Sequence, residues 1–457
     1  MMKKYSGDFN NLIEKWNLKD EDLWIDYQVL GPMFASLRMF LSMNNVLPVI
    51  VGSKGCLNHL RFTIIAWGEE DFHLGKKPIA LLEYNQADII TGNYEISEDW
   101  YKNIKEMSNY TETELIVLLP TDPITISGVN LEKISKEIKN KIKIDTSYLS
   151  TSAISGDNQW EGYQAALNAL YKPYLEKNYK REKTVNLVGW MWPSRKREHE
   201  IGACIDMLKQ VGIEVQSVIT GGSSVKDIED SMKASANAMV CSAVVGDIFY
   251  DLEEKGIKLA GRRSPYGFEG TKEWLTSIAD ALDIDTKDKI EKLEKLYQND
   301  FDELKSILKN KKVFVSGGPG RLIGLLHTLI DYEVEIKTAA LFWPHPWSQN
   351  DLKHMKEKHD IKIDNFIVSP GLDDLEKVAK DYEIDLWLGG YQEQHIAKKY
   401  GIPFVPITVY TSPHVGFEGV INLGNKLKLA LEGYDFTENI LKAKEIQPCI
   451  YQLKNKE

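Results

Sequence analysis

The chain has 457 residues and carries 56 Lys+Arg against 67 Asp+Glu, a formal net charge of −11, an acid excess that argues against non-specific binding to nucleic acid or to an anionic membrane. Its length suits roughly two to four domains. No apolar run approaches the roughly 18 residues of a spanning helix, the start MMKKYSGDFNNLIEKW lacks a signal-peptide core, and Cys56, Cys204, Cys241 and Cys449 lie far apart without a CxxC pair, so a reducing cytoplasm is the expected compartment.

Three blocks alternate apolar strand, glycine-bearing loop and amphipathic helix. The first, residues 1–182, holds the strands VLPVIVG (46–52), PIALLEY (78–84), the opening of ELIVLLPTDPITISG (114–128) and IKIDTSYL (142–149). Its most informative stretch is VLPVIVGSKGCLNHLR (46–61). A strand ends at Gly52, a turn containing Gly55 delivers Cys56, and a helix is predicted over 57–67. A thiol so placed meets backbone N–H groups and the positive end of the helix, which favours a thiolate able to ligate iron or attack an electrophile. The competing reading is a small buried Cys at a tight turn.

The second block, residues 183–305, runs TVNLVGWMWP (184–193), the helix EIGACIDMLKQVG, the strand IEVQSVITGGSS, the helix VKDIEDSMKAS and the strand ANAMVCSAV. A charged connector, DTKDKIEKLEKLYQNDFDELKSILKNKK, leads to the third, residues 306–457. That block runs VFVSGGPG (313–320), VEIKTAALFW, NFIVSP, IDLWLGG (384–390) and IPFVPI, each strand followed by a helix. Strands and helices alternating at these lengths predict an α/β chain of three Rossmann-like domains, with parallel sheets flanked by helices around a central cavity.

Ligands in such sheets bind beyond the carboxyl ends of the strands, which singles out the loops Gly52–Cys56, Pro120–Gly128, Trp190–Pro193, Gly221–Ser224, Cys241–Gly246, Gly317–Gly320, Trp343–Trp347, Gly389–Gln394 and Thr411–Gly416. GGPG at 317–320 lacks the full GxGxxG pattern and reads as a tight turn, and no G-x-x-x-x-G-K-[ST] occurs, so ATP hydrolysis through a P-loop is not expected of this chain. RKREHE (195–200) reads as a solvated helix start, with Arg195 or Arg197 as alternatives for an anionic substrate. Trp343, His345 and Trp347 in FWPHPWSQ suit a pocket wall or an interface.

Four anchors in this order resemble the nitrogenase component 1 superfamily: LGPMFASLRMFLSMNNVLPVIVGSKGC (30–56), DNQWEGYQAALNAL (157–170), CSAVVGDIFYDLEEKGI (241–257) and IDLWLGGYQEQHIAKKYGIPFVPI (384–407), completed by SPHVGFEG (412–419). That superfamily includes the molybdenum–iron protein subunits, cofactor-assembly scaffolds, protochlorophyllide and chlorophyllide reductases and methylthio-alkane reductases. The Gly-Ser-Lys-Gly-Cys turn looks most like the β-type subunits. The resemblance implies an oxidoreductase subunit whose Cys56 helps to hold an iron–sulfur cluster shared with a sister α-type subunit. It also implies a homodimeric iron–sulfur ATPase as reductant and a small-molecule substrate such as a tetrapyrrole or a C–S compound. A scaffold for cluster assembly is the alternative.

The departures are as informative. Of the three cluster cysteines of fully equipped subunits only Cys56 matches; the other two positions fall on Tyr27 and Asp122. Asp122 is named because a carboxylate is the odd ligand in protochlorophyllide reductase, against its reading as a turn former. Cys241 falls where the α-type Cys holds the active-site cofactor, against a core-thiol reading. The cofactor's His position falls on Val415, one residue beyond His414, which disfavours dinitrogen reduction on a molybdenum–iron cofactor and leaves His414 as a candidate catalytic proton donor.

Overall fold

The computed structural model describes residues 6–15, 31–58, 60, 79–151, 158–190, 197–359, 361–390, 392–407 and 412–442. Its strands are β1 (Ser6–Gly7), β2 (Val46–Gly52), β3 (Ala80–Glu83), β4 (Leu115–Pro120), β5 (Asp145–Tyr148), β6 (Glu182–Val188), β7 (Glu214–Ile219), β8 (Ala234–Met239), β9 (Lys258–Ala260), β10 (Lys312–Gly317), β11 (Glu335–Leu341), β12 (Asn365–Val368), β13 (Leu386–Gly389) and β14 (Phe404–Pro406). They form three sheets ordered β3-β2-β4-β5, β7-β6-β8-β9 and β1-β12-β11-β10-β13-β14. Every pairing is parallel except that of β1 with β12.

Local sequence accounts for these elements. All seven residues of β2 are buried, as expected of an unbroken apolar run in a parallel sheet covered on both faces. The helix Leu131–Ile142 buries Leu131, Ile134, Ile138 and Ile142, one stripe at helical spacing. Asn130 starts it by accepting the Lys133 N–H at 2.9 Å, and Lys143 ends it in the left-handed conformation at φ 66.

Several expectations shift. The helix predicted from 57 starts at residue 54, so Cys56 lies inside its first turn; it is described over 54–58 and at 60. The strand predicted over 142–149 contracts to β5, because the preceding helix extends to Ile142. The charged connector forms two helices, Lys287–Lys295 and Gln298–Leu308. The sequence places residues 6–15 in the first domain, yet β1 pairs with β12 of the third sheet and the tilted rings of Phe9 and Phe366 lie 5.2 Å apart. A two-residue strand carries too little pattern to announce its distant partner.

Packing also crosses the sequence boundaries. One core joins Val185, Leu187, Ala236 and Ala238 of the second sheet to Val313, Val315, Leu322 and Leu326 of the third lobe. Another joins Phe34, Ile50 and Tyr163 to Val188, Ile219 and Met239. Two of the sequence anchors lie on each other: the helices Pro32–Leu41 and Gln159–Tyr171 cross at Gly162, where a Cβ would stand 2.1 Å from the Pro32 carbonyl oxygen. Ser36 Oγ donates to the Gly162 carbonyl at 2.7 Å across this crossing.

Candidate functional site

Two places collect the predicted residues. The first is the carboxyl edge of the first sheet. β2 and β4 are parallel neighbours with Val51 beside Pro120, so the turns that follow them emerge side by side. Gly52 makes this possible, since a Cβ there would lie 2.5 Å from Thr121 Oγ1. Ser53 occupies the cap position of the helix beginning at 54; its Oγ is 3.5 Å from both the Cys56 N–H and Cys56 Sγ. Asp122 opens the short helix Asp122–Ile126, directly before Pro123. The fold therefore brings Cys56 and Asp122 to one edge. Cys56 is half-buried, Lys54, Gly55 and Pro123 beside them are exposed, and Ile126 on the same short helix is 65% exposed.

An iron–sulfur cluster takes about four protein ligands. Among the described residues no group of three or more His, Cys, Asp or Glu gathers where it could hold a metal. Tyr27 and Cys449 lie outside the described residues, as do residues 191–196, which carry Arg195, and 408–411; Arg197 lies in a helix whose first side chains are not described. The donor set at the edge, one thiol and one carboxylate, fits a share of a cluster rather than a whole one.

The second place is where the strands of the second and third sheets end against each other. Cys241, just past β8, is half-buried. Two glycines close on it. A Cβ on Gly189, at the end of β6 with φ +111, would meet the Cys241 N at 2.8 Å, and one on Gly320, in the first turn of the helix Pro319–Asp331, would meet Sγ at 2.7 Å. Burial pushes the Cys241 thiol up, while the Ala243 N–H hydrogen bond and the Arg321 and Arg38 guanidiniums pull it back. Trp160 Nε1 donates to the Val245 carbonyl at 2.7 Å and Gln164 Nε2 to that of Val244 at 3.1 Å, clamping the Cys241–Gly246 loop. Bare glycine backbone around a thiol that accepts an N–H bond suits a thiolate ligand or a hydrogen-bonded free thiol.

Each arginine comes with a tyrosine. Arg38 Nη1 donates to Tyr163 Oη at 2.6 Å; burial pushes that phenol up to about 12. Arg321 donates to the Ile407 carbonyl at 2.7 Å and bonds the Tyr266 phenol, which burial also raises. These Arg–Tyr pairs were not singled out from the sequence, since Arg38 and Arg321 look like ordinary helix residues until the chain folds. The aromatic loop is legible: Trp343, at φ 33, stands 6.1 Å from Tyr163, and His345 stacks on Trp160 at 6.0 Å with ring planes 2° apart. His345 is 1% exposed, its Nδ1 accepts the Ser348 N–H at 3.3 Å, and its Nε2 has no hydrogen-bond partner. Burial lowers it to about 3.

His414 is 1% exposed, with Nε2 2.9 Å from Lys426 Nζ. That spacing is within hydrogen-bond distance, and which nitrogen donates follows the ring's tautomer. Val415 is buried in the shared core. An open groove of about 730 Å³ runs along the outer edge of β7, lined in part by Ile205, Lys209, Val215, Asp227 and the predicted ligand loop at Gly221–Ser223; Cys56, Asp122, Cys241 and His414 do not line it. No helix among the described residues is long and apolar enough to cross a membrane.

Known proteins give this geometry a context. The nitrogenase molybdenum-iron protein alpha chain of Methanothermobacter marburgensis is 23% identical over 373 residues, 79% of this chain and 76% of the relative. The nitrogenase iron-molybdenum cofactor biosynthesis protein NifE of Clostridium pasteurianum is 25% identical over 401 residues, 79% of this chain and 83% of its own. The chlorophyllide reductase 52.5 kDa chain of Rhodobacter capsulatus is 24% identical over 421 residues, 88% and 80% of the two chains. The solved structure of nitrogenase Cp1 at pH 6.5 superposes with a TM-score of 0.71 at 18% identity, covering 93% of this chain and 92% of that one, which speaks for the fold. Likeness to alpha, NifE and chlorophyllide reductase chains in each case runs through more than three-quarters of this sequence. The model of the nitrogenase component 1 type oxidoreductases matches residues 31–432, and the chain belongs to that family.

Proposed function

We propose that this chain is one subunit of a heteromeric, nitrogenase-like reductase, with a first glycine turn that resembles the β-type subunits. Its first-sheet edge forms the boundary with a sister subunit. Cys56, with Asp122 as the accompanying carboxylate, contributes to an iron–sulfur cluster whose remaining ligands come from that sister. The observation that carries the reading is the placement of these two residues just past neighbouring strand ends, with Ile126 exposed beside them, in a chain whose described residues cannot complete a metal site alone. Bound there, such a cluster supplies low-potential electrons; the protein contributes ligation, positioning and protons.

The central site is where the substrate or a second metal group is held. Cys241 is its thiol, the Arg38–Tyr163 and Arg321–Tyr266 pairs supply positive charge and hydrogen bonds, and His414 is the candidate proton donor named from the sequence. Electrons arrive from a separate ATP-hydrolysing iron–sulfur partner, in keeping with the lack of a P-loop in the sequence. The substrate is a small molecule that is hard to reduce, a tetrapyrrole or a C–S bond among the classes considered.

Likeness to NifE favours a second reading, a scaffold that holds a maturing cluster for transfer. Anaerobic co-expression with candidate sister and ATPase chains, with iron and sulfide assays, separates the two. ATP-dependent turnover supports the reductase; a cluster released to an acceptor protein without turnover supports the scaffold. Cys56→Ala is expected to lower iron in the assembled complex, and unchanged iron would remove the metal role of this edge.

A further inference from the structure

The helix Pro319–Asp331 runs along the seam between the second and third lobes and touches the same neighbouring segment repeatedly. Gly320 in its first turn faces Cys241 Sγ. One turn on, Gly324 lies under Tyr266, whose Cδ2 would be 2.5 Å from a Cβ there. Near its far end the His327 backbone meets Gly267 and Asp331 meets Phe268. Each of the two glycines has a side chain seated where a Cβ would be, so neither contact survives a shift of the helix along the seam.

The far-end contact is a helix cap supplied from outside. The helix Phe268–Leu282 begins at Gly267, which has φ 76 and makes no side-chain cap bond. Its first N–H groups would be orphaned without an acceptor. Asp331 provides it: Phe268 N donates to Asp331 Oδ2 at 2.5 Å, and the Glu269 N–H bonds the same carboxylate. A carboxylate at a helix start gains from both the hydrogen bonds and the helix dipole.

We propose that Asp331 is a positioning residue for Cys241: by capping the helix Phe268–Leu282 it pins the far end of the helix Pro319–Asp331, and so holds Gly320 closed over the thiol. Eleven residues of helix separate Gly320 from Asp331, about 16 Å at 1.5 Å per residue, so the carboxylate acts through the rigid helix and not by touching the site. The effect is local to the seam. Cys204 is 0% exposed in the shared core, makes none of these contacts, and serves as an internal control.

The test is thiol labelling of the purified full chain with dithiodipyridine, with the modified cysteine identified by peptide mass. In Asp331→Ala, Cys241 is expected to react about tenfold faster than in wild type, the effect of losing hydrogen bonds to a charged acceptor on a local opening equilibrium. Cys204 should stay at its wild-type rate, and Asp331→Asn, which keeps an acceptor oxygen for Phe268 N, should restore most of the protection. Gly267→Ala disrupts the same seat without removing the carboxylate, since its Cβ would stand 2.5 Å from Asp331 Oδ2 in a backbone conformation that disfavours side chains; it should also speed Cys241. The proposal is overturned if Cys241 keeps its wild-type rate in both Asp331→Ala and Gly267→Ala, or if Cys204 accelerates in parallel, which would mean general loosening. Should Asp331→Ala fail to fold, Gly267→Ala and Asp331→Asn decide the matter by the same readout.

Discussion

Replacing His345 with Phe should change how stability depends on pH, by an amount the structure sets. The imidazole is buried against Trp160, and burial holds its pKa at about 3, against an ordinary value of 6.5. A histidine whose folded pKa is depressed stays neutral in the native protein but takes up a proton when the chain unfolds. Its contribution is therefore fully present above 6.5 and lost as pH falls below it. At pH 5 the loss is about 1.5 pH units at about 1.4 kcal/mol each, or about 2 kcal/mol. Phe keeps a flat ring on Trp160 but leaves the Ser348 N–H without its acceptor, a cost of about 1 kcal/mol that does not vary with pH. The assay is urea unfolding followed by tryptophan fluorescence, for wild type and His345→Phe, at pH 7.5 and pH 5. The variant should be slightly less stable at pH 7.5 and should lose about 2 kcal/mol less than wild type on acidification. Other buried groups titrate in the same range, but their contributions cancel in this double difference. An identical acid loss in both proteins would refute the reasoning, because His345 would then not be the sealed neutral group described.

The opposite sign is expected at Asp351, which is 1% exposed and whose Oδ1 lies 3.6 Å from Arg263 Nε and 4.0 Å from Arg262 Nε. Burial outweighs both guanidiniums and pushes it up to about 6, so its contribution to stability falls as pH rises from about 4 to 6; Asp351→Asn should remove about 2 kcal/mol from the difference between pH 4.5 and 7.5, measured by the same unfolding assay. Gly162→Ala should destabilise the first lobe by about 1–3 kcal/mol, read as a lower unfolding midpoint, because its Cβ would meet the Pro32 carbonyl rather than a side chain able to move. Gly52→Ala should lower the iron content of the assembled complex by pushing Thr121, and with it the Asp122 turn; Thr121→Ala in the same chain should restore part of it, since Oγ1 and Cγ2 are the atoms in the way.

What the sequence reveals here is whatever one stretch of chain decides for itself. The seven buried residues of β2, the glycine turn and the capped start at Ser53 are consecutive, and together they place Cys56. The family anchors likewise announce the three sheets. Contacts made between distant stretches stay hidden. Gly189 and Gly320 read as turn glycines, and only the fold shows that each leaves room for Cys241. Asp331 ends one helix, yet its carboxylate caps a different one. The two residues of β1 carry no strand pattern at all, and their place in the third sheet is a tertiary event.

The turn that resembles β-type subunits shows how much a motif owes to local geometry. Gly-Ser-Lys-Gly-Cys is constrained by local geometry. Gly52 must lack a Cβ for Thr121 to approach, Ser53 must offer an oxygen to the helix start, and Cys56 must follow within one turn to stand at the edge. Any chain that presents a thiol at that edge meets the same demands, whichever half of a heteromer it forms, so the wording of the turn reports a ligand position and not a subunit type. Identity with an alpha chain over 373 residues samples the packing of all three lobes instead. The central site is likewise specific in its geometry. Cys241 is half-buried, closed in by two bare glycine backbones and held by an N–H bond and two nearby guanidiniums, far more provision than a core thiol such as Cys204 receives. A Val415 buried in the apolar core, with His414 turned onto Lys426, leaves that thiol without an imidazole at the position where the resemblance expects one. The chain thus provides for a ligand at Cys241, while the position that resembles the cofactor's imidazole carries Val415, which weighs against dinitrogen in the proposed reading.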